Sequence, residues 1–172
     1  MKKPKVTFYL IIVVLVMCGI FVGNNLFSPK VWDVTQLTVS ESQSHLSGLE
    51  FVLNLDNTPI SATFSNNTDI CLNSGASAGP NAEIIFSPKL EVLLDGVWYE
   101  VPFEPYASAG IGLELSPGDS VSGQVSFSHY GRLPDGQYRA LYGAYLPSSN
   151  MRYVAYAYLD VQNGRYVTSS IS

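Results

Sequence analysis

Leu133-Pro-Asp-Gly-Gln-Tyr-Arg-Ala-Leu-Tyr142 is the stretch that decides the fold. Proline presets φ and glycine accepts a positive φ that a Cβ disfavours, so Pro134-Asp135-Gly136 reads as a turn. Tyr138 follows at once and opens a run of β-favouring residues, with the small Ala140 two places on. An Asp-Gly turn feeding such a tyrosine is the pattern of a tyrosine corner in a β-sandwich. There the ring is buried and the hydroxyl bonds backbone a few residues upstream. Tyr138 is therefore expected to be structural.

Working outward, Tyr138 to Leu146 reads as a strand, Pro147-Ser-Ser-Asn150 as a hairpin loop, and Met151 to Val161 as the last strand. In that last strand Tyr153, Ala155, Ala157, Leu159 and Val161 share one face. Arg152, Tyr156, Tyr158 and Asp160 form most of the other. Upstream of the corner, Ser120–Phe127 and Ile111–Leu115 read as strands about a Ser116-Pro-Gly-Asp119 turn. Asp95-Gly96 is the strongest hairpin signal and folds Leu90–Leu94 back onto Val97–Val101. Before it, Glu83–Phe86 reads as a strand and Leu72 to Ala82 as a flexible loop of small residues. Ile60–Phe64 is a strand ending in the polar knot Ser65-Asn-Asn-Thr68. Asn66-Asn67-Thr68 formally matches a glycosylation acceptor, and a turn explains it equally well. Gly48–Leu55 is a strand, Ser40–Ser47 a serine-rich loop, and Val34–Val39 a first strand with a modest apolar face. The count is about eight or nine short strands with no helical period after residue 27, which predicts an all-β antiparallel sandwich or barrel. The polar strand ends argue against a porin-like membrane barrel.

The N-terminus is of another kind. Met1–Lys5 is a basic head, and Val6 to Val22 is almost wholly apolar. As a helix it would reach roughly 26 Å, close to the ~30 Å hydrocarbon core, and the lysines before it predict a cytoplasmic N-terminus. Three readings compete. One is an uncleaved signal anchor over 6–23. Another is a cleaved signal peptide, although no small-x-small site follows the run. The third is a lipoprotein signal lipidated at Cys18, although Met17 is large where a small residue belongs. The signal anchor leads. The chain then divides into a head (1–5), a span (6–23), a linker (24–31), a β-sandwich (32–163) and a C-terminal tail (164–172).

Charge is sparse, at 13% of residues. From Lys30 onward six basic residues face all fourteen acids, a balance of −8. Such a domain has no electrostatic footprint for nucleic acid. Cys71 is its lone cysteine, so it holds no internal disulfide. His45 and His129 stand apart, without the spacing of a metal site. No metal and no cofactor is expected.

Four motifs then fall in order: Phe64-Ser-Asn-Asn-Thr68, Leu94-Asp-Gly-Val-Trp-Tyr-Glu-Val-Pro102, Leu115-Ser-Pro-Gly-Asp119 and Leu133-Pro-Asp-Gly-Gln-Tyr-Arg139. In this order, over about Thr35 to Gln162, the chain resembles a family of bacterial immunoglobulin-like domains. That family is common in Gram-positive bacteria, often in membrane-attached or lipid-anchored extracytoplasmic proteins. The Leu72–Ala82 stretch departs from it in length and glycine content. The resemblance implies an immunoglobulin-like antiparallel β-sandwich and an address outside the cytoplasm. It supplies no catalytic residues.

The residues themselves offer little chemistry. Glu100 and Glu104 flank Val101-Pro-Phe103, and Asp56 and Asp69 lie in turns. Neither pair carries a glycosidase or calcium motif, and no Gly-x-Ser-x-Gly elbow occurs. No enzymatic activity is expected. Tyr142, Tyr145, Tyr153, Tyr156 and Tyr158 cluster on the last hairpin. Tyr156 and Tyr158 are the candidate contact face for a protein or glycan, since tyrosine offers an apolar body and a polar tip. Cross-strand packing is the plainer explanation. The reading is a membrane-anchored extracytoplasmic module for adhesion or interaction. The alternative is an accessory subunit of a neighbouring membrane protein.

Overall fold

Strand pairing recruits more of the chain than apolar periodicity marks. The computed structural model describes residues 31–172 apart from Tyr106, Asn150 and Ser172. The head (1–5), the span over 6–23, Cys18 and all but Val31 of the linker lie outside the described residues. Among the described residues no helix is long and apolar enough to cross a membrane. Twelve strands are described: β1 (Thr38–Val39), β2 (Leu49–Asn54), β3 (Ser61–Asn66), β4 (Leu72–Ala78), β5 (Ile84–Phe86) and β6 (Lys89–Leu94), then β7 (Val97–Glu100), β8 (Gly110–Leu115), β9 (Ser120–Val125), β10 (Gly136–Tyr145), β11 (Arg152–Gln162) and β12 (Arg165–Thr168).

One sheet runs β1-β7-β6-β10-β11-β12, every neighbour antiparallel. The other runs β2-β3-β9-β5 and continues through β4 to β8. β4 belongs to both, because its first residues also pair with the end of β10. Not every pair is antiparallel as expected. β4 fixes the direction of β5, which then lies parallel to β9. The sheets meet on aromatic rings. Tyr142 of β10 stacks on Phe51 at 5.0 Å and takes Phe64 and Phe86 edge-on at 4.9 and 5.0 Å. All four residues are buried.

Three expectations are corrected. Val34–Gln36 is a 3-10 turn, not a strand. Asp33 Oδ1 accepts from the Thr35 amide (3.0 Å) and hydroxyl (2.7 Å), a local bond that competes with extended backbone. The same bonds hold the Asp33 carboxyl below its ordinary pKa. Leu72–Ala78 is a strand, not a loop. Its small residues have little β-propensity, but Leu72 is fully buried, and Ser74 Oγ donates to Gly143 O at 2.6 Å. Tertiary pairing overrides propensity here. Finally, the 164–172 tail contains β12. Asn163 and Gly164 sit at φ 53° and 73°, a two-residue hairpin turn that returns the chain onto β11.

Asn66 is also fully buried. Its Nδ2 donates to Ile70 O (2.8 Å) and Leu115 O (2.9 Å), while its Oδ1 accepts from the Thr68 amide and hydroxyl. The acceptor-like triplet is therefore a turn-closing asparagine with no nitrogen free for a glycan.

Asp95-Gly96 forms the turn that its sequence signals, whereas Gly136 is extended as the first residue of β10. Asp95 and Gly96 sit at φ 50° and 79° with Leu94 paired to Val97, the geometry of a type I′ hairpin. Tyr138 is fully buried, and its hydroxyl donates to Pro134 O at 2.7 Å. The same oxygen accepts from Trp32 Nε1 at 2.9 Å, so the corner also pins the start of the domain.

Gly96 has open space around it, so a substitution there is opposed by backbone strain alone. Gly96→Val is expected to cost about 1–2 kcal/mol in urea unfolding, since a β-branched residue resists positive φ. Tyr138→Phe removes both hydroxyl bonds and is expected to cost about 2 kcal/mol. Burial pushes the Tyr138 phenol up from 10.0 to about 12. The fold therefore holds the protonated form, and its contribution is intact below pH 10. Above that the unfolded chain releases the proton first, so stability falls by up to about 3 kcal/mol as pH rises to about 12. Unfolding midpoints across that window should fall less steeply in Tyr138→Phe. A residual slope should remain from Tyr156 and Tyr166, whose phenols burial also raises.

Candidate functional site

Period two in β10 sends Tyr138, Ala140 and Tyr142 inward, which leaves Arg139 and Leu141 on the outer face. Register then assembles their neighbours. Arg139 lies opposite Glu91 of β6 and Tyr158 of β11, and Leu141 lies opposite Lys89 and Tyr156. Trp98 of β7, paired with Leu93, completes the group.

Arg139 is its centre. The guanidinium stands 4.4 Å from the Trp98 ring centroid and 4.7 Å from that of Tyr156, so it is held between two aromatic faces. Its Nε donates to Glu91 Oε2. Glu91 is 2% exposed, and its other oxygen accepts from Ser40 Oγ. Tyr158 lies beside Trp98 with centroids 6.1 Å apart. Both candidate tyrosines are half-buried. Burial raises the Tyr156 phenol's pKa, and the nearby Arg139 charge opposes this in part.

A strap crosses this face. Ser40 N donates to Trp98 O at 2.9 Å, and Val154 N on β11 donates to Ser44 O at 3.0 Å. His45 pairs with Val154 and sets its ring 6.4 Å from that of Tyr156. The polar loop read at Ser40–Ser47 is thus an ordered cover, and it explains why Leu141 is buried on an outward face.

The other residues singled out by sequence go elsewhere. Tyr142 is core, and its hydroxyl donates to Gly75 O on β4. Tyr145 and Tyr153 stand farther along the hairpin at a separate cleft. Glu100 lies opposite Glu91, while Glu104 is in the loop whose amide bonds His129 O. Asp56 and Asp69 are exposed in turns. His129 packs on Tyr130 at 4.4 Å, and burial lowers its imidazole pKa. Cys71 is exposed. Among the described residues no three His, Cys, Asp or Glu side chains gather to hold a metal. Trp98, Arg139 and Glu91 escaped the sequence reading. Alternation from Tyr138 already puts Arg139 outward, but its ring partners depend on the register of three strands.

The bacterial Ig-like domain family matches residues 49–149, more than half of the chain. This chain belongs to that family. No curated protein matches it, and no solved structure does. The match opens at the first residue of β2 and ends in the loop before β11. Trp98, Glu91 and Arg139 of the Ig-like domain therefore lie inside it, and Tyr156 and Tyr158 lie beyond.

Arg139→Leu is expected to cost about 3 kcal/mol, because it strands the buried Glu91 carboxylate. Adding Glu91→Leu should recover most of that loss. Urea unfolding of both single variants and the double variant checks the coupling.

Proposed function

We propose that the protein is a membrane-tethered, extracytoplasmic binding module without enzymatic activity. It holds its Ig-like domain outside the membrane and engages a protein or glycan partner through the outer face of the β7-β6-β10-β11 sheet. The observation that carries this reading is the Trp98–Arg139–Tyr156 stack with Tyr158 beside it. Large rings and an arginine fixed before any partner arrives lose little conformational entropy on binding, and such residues dominate contact energies. Glu91 neutralises Arg139, so the face is amphipathic without being strongly charged. Family membership supports a non-catalytic surface module. The tether rests on the sequence: three lysines, then an apolar run near bilayer length, then Asn24-Asn25 as a polar stop.

Protease shaving of intact cells, or of spheroplasts if there is an outer membrane, tests the topology. Peptides from Trp32 onward should be released while Met1–Lys5 stays protected in the membrane fraction. A mature N-terminus at a lipidated Cys18 would replace the helical tether with a lipid one and keep the outside address. Full protection of the domain would overturn the proposal.

A further inference from the structure

Beyond the aromatic stack, the same sheet carries a cleft of about 890 Å³, within the size range of small-ligand sites. Its floor is β10 at Leu141–Tyr145. Gln43 of the strap, Gly75 of β4, Lys89 of β6 and Arg152 of β11 rise around it. We infer that this cleft binds an extended anionic oligosaccharide, with Lys89 and Arg152 taking the charges and Tyr145 a sugar ring.

Charge selects the sign of the ligand. The domain carries fourteen acids, yet no Asp or Glu lines the cleft, while two of its few cations do. Lys89 and Arg152 are both exposed, and neither makes a salt bridge among the described residues. A field that is acidic elsewhere and cationic here focuses on this one concavity. The same overall balance disfavours dense polyanions such as nucleic acid.

Spacing selects its length. Lys89 lies opposite Leu141, and Arg152 lies opposite Tyr145 on the other side of β10. The two backbones are thus about 10 Å apart across the sheet and about 13 Å apart along it. They do not form one clamp for one small anion. They mark the two ends of a track.

The surface between them selects its kind. Gly143, exposed on the outer face, leaves the floor bare; a Cβ there would point into the opening, 3.7 Å from Tyr153 O. Tyr145, 41% exposed, stands at the rim, while Tyr153 lends only its backbone, its ring packing on the core side. Gln43 and Ser87 add neutral polar groups. Around the cleft both edges of β10 are already paired, by β11 on one side and by β4 and β6 on the other. An acidic peptide therefore finds no free strand edge to extend. Bare floor, aromatic rim and hydroxyl-matching side chains suit rings with alternating apolar and polar edges.

The assignment rests on the reading of the protein as a binding module, and titration calorimetry of the full chain in detergent tests it separately. The probes are an oligogalacturonate, a phosphorylated galacto-oligosaccharide, a neutral galacto-oligosaccharide of equal length, and an oligoglutamate. At least one of the two anionic oligomers should bind, and which one does distinguishes carboxylate from phosphate as the charge recognised. The neutral oligosaccharide should bind at least about tenfold more weakly, and Lys89→Gln and Arg152→Gln should each weaken binding about tenfold. Gly143→Val should abolish binding by filling the floor, and Arg165→Gln, on β12, should leave it unchanged. Equal affinity for the neutral oligosaccharide, failure of both anionic oligomers, or oligoglutamate matching them would overturn the assignment. If shaving still places the domain outside the membrane in that case, the cleft assignment alone falls.

Discussion

The domain depends on one ring. Tyr142 is where three phenylalanines from one sheet meet the other sheet, and its hydroxyl reaches the strand that belongs to both. The ring supplies apolar contact in three directions. Its oxygen satisfies a carbonyl at the point where β4 passes between the sheets. A phenylalanine at 142 could fill the space but would leave the Gly75 carbonyl without that donor. Tyr138, four residues earlier on the same inward face, secures the corner and the Trp32 end of the domain. Two inward positions of β10, with Ala140 between them, thus tie the sheets to each other and the first described residues to the last third of the chain.

β10 also organises the outward side. The alternation that buries Tyr138 and Tyr142 leaves Arg139 and Leu141 facing out, with Gly143 and Tyr145 beyond them. Core, aromatic stack and cleft floor are therefore consecutive readings of one strand. The stack adds a buried carboxylate in an unusual place. Glu91 has water on almost no side, yet Arg139 and Ser40 occupy both its oxygens. Such a pair adds less net stability than its contacts suggest, because both charges were desolvated to make it. It does fix where the Trp98 and Tyr156 rings stand.

What could be read from the sequence divides along physical lines. The Asp95-Gly96 hairpin was legible because its residues dictate backbone angles on their own, and the corner because Tyr138 follows Pro134 at the spacing that lets its hydroxyl reach back. Asn163-Gly164 carries the same signal and was missed, since the short run after it, Arg165–Ser172, ends in serines and read as a tail. Leu72–Ala78 was illegible for a different reason. Nothing in Asn-Ser-Gly-Ala-Ser prefers a strand, and only the neighbours on both sides make it one. Tyr156 and Tyr158 could be placed on one face by alternation. The arginine between the rings could not, because it depends on which strands lie beside β10. Likewise the strap reads as loop chemistry until Glu91 and Val154 are known to lie beneath and beside it.

The long reach of Tyr142 has a consequence for how the chain is made. β2 and β3 are joined by a short turn and can pair as soon as both exist. Their phenylalanines meet each other and Phe86 early, but the ring that packs on all three comes only with β10, and β4, already paired with β5 and β8, gains its link to the other sheet only then. Contacts of such wide sequence separation form late, and a solitary two-stranded hairpin is marginal in water. The two sheets therefore close on each other only when β10 arrives, although the first of them can assemble from residues before it. Until then the aromatic face of the first sheet stands uncovered on the side that Tyr142 later fills.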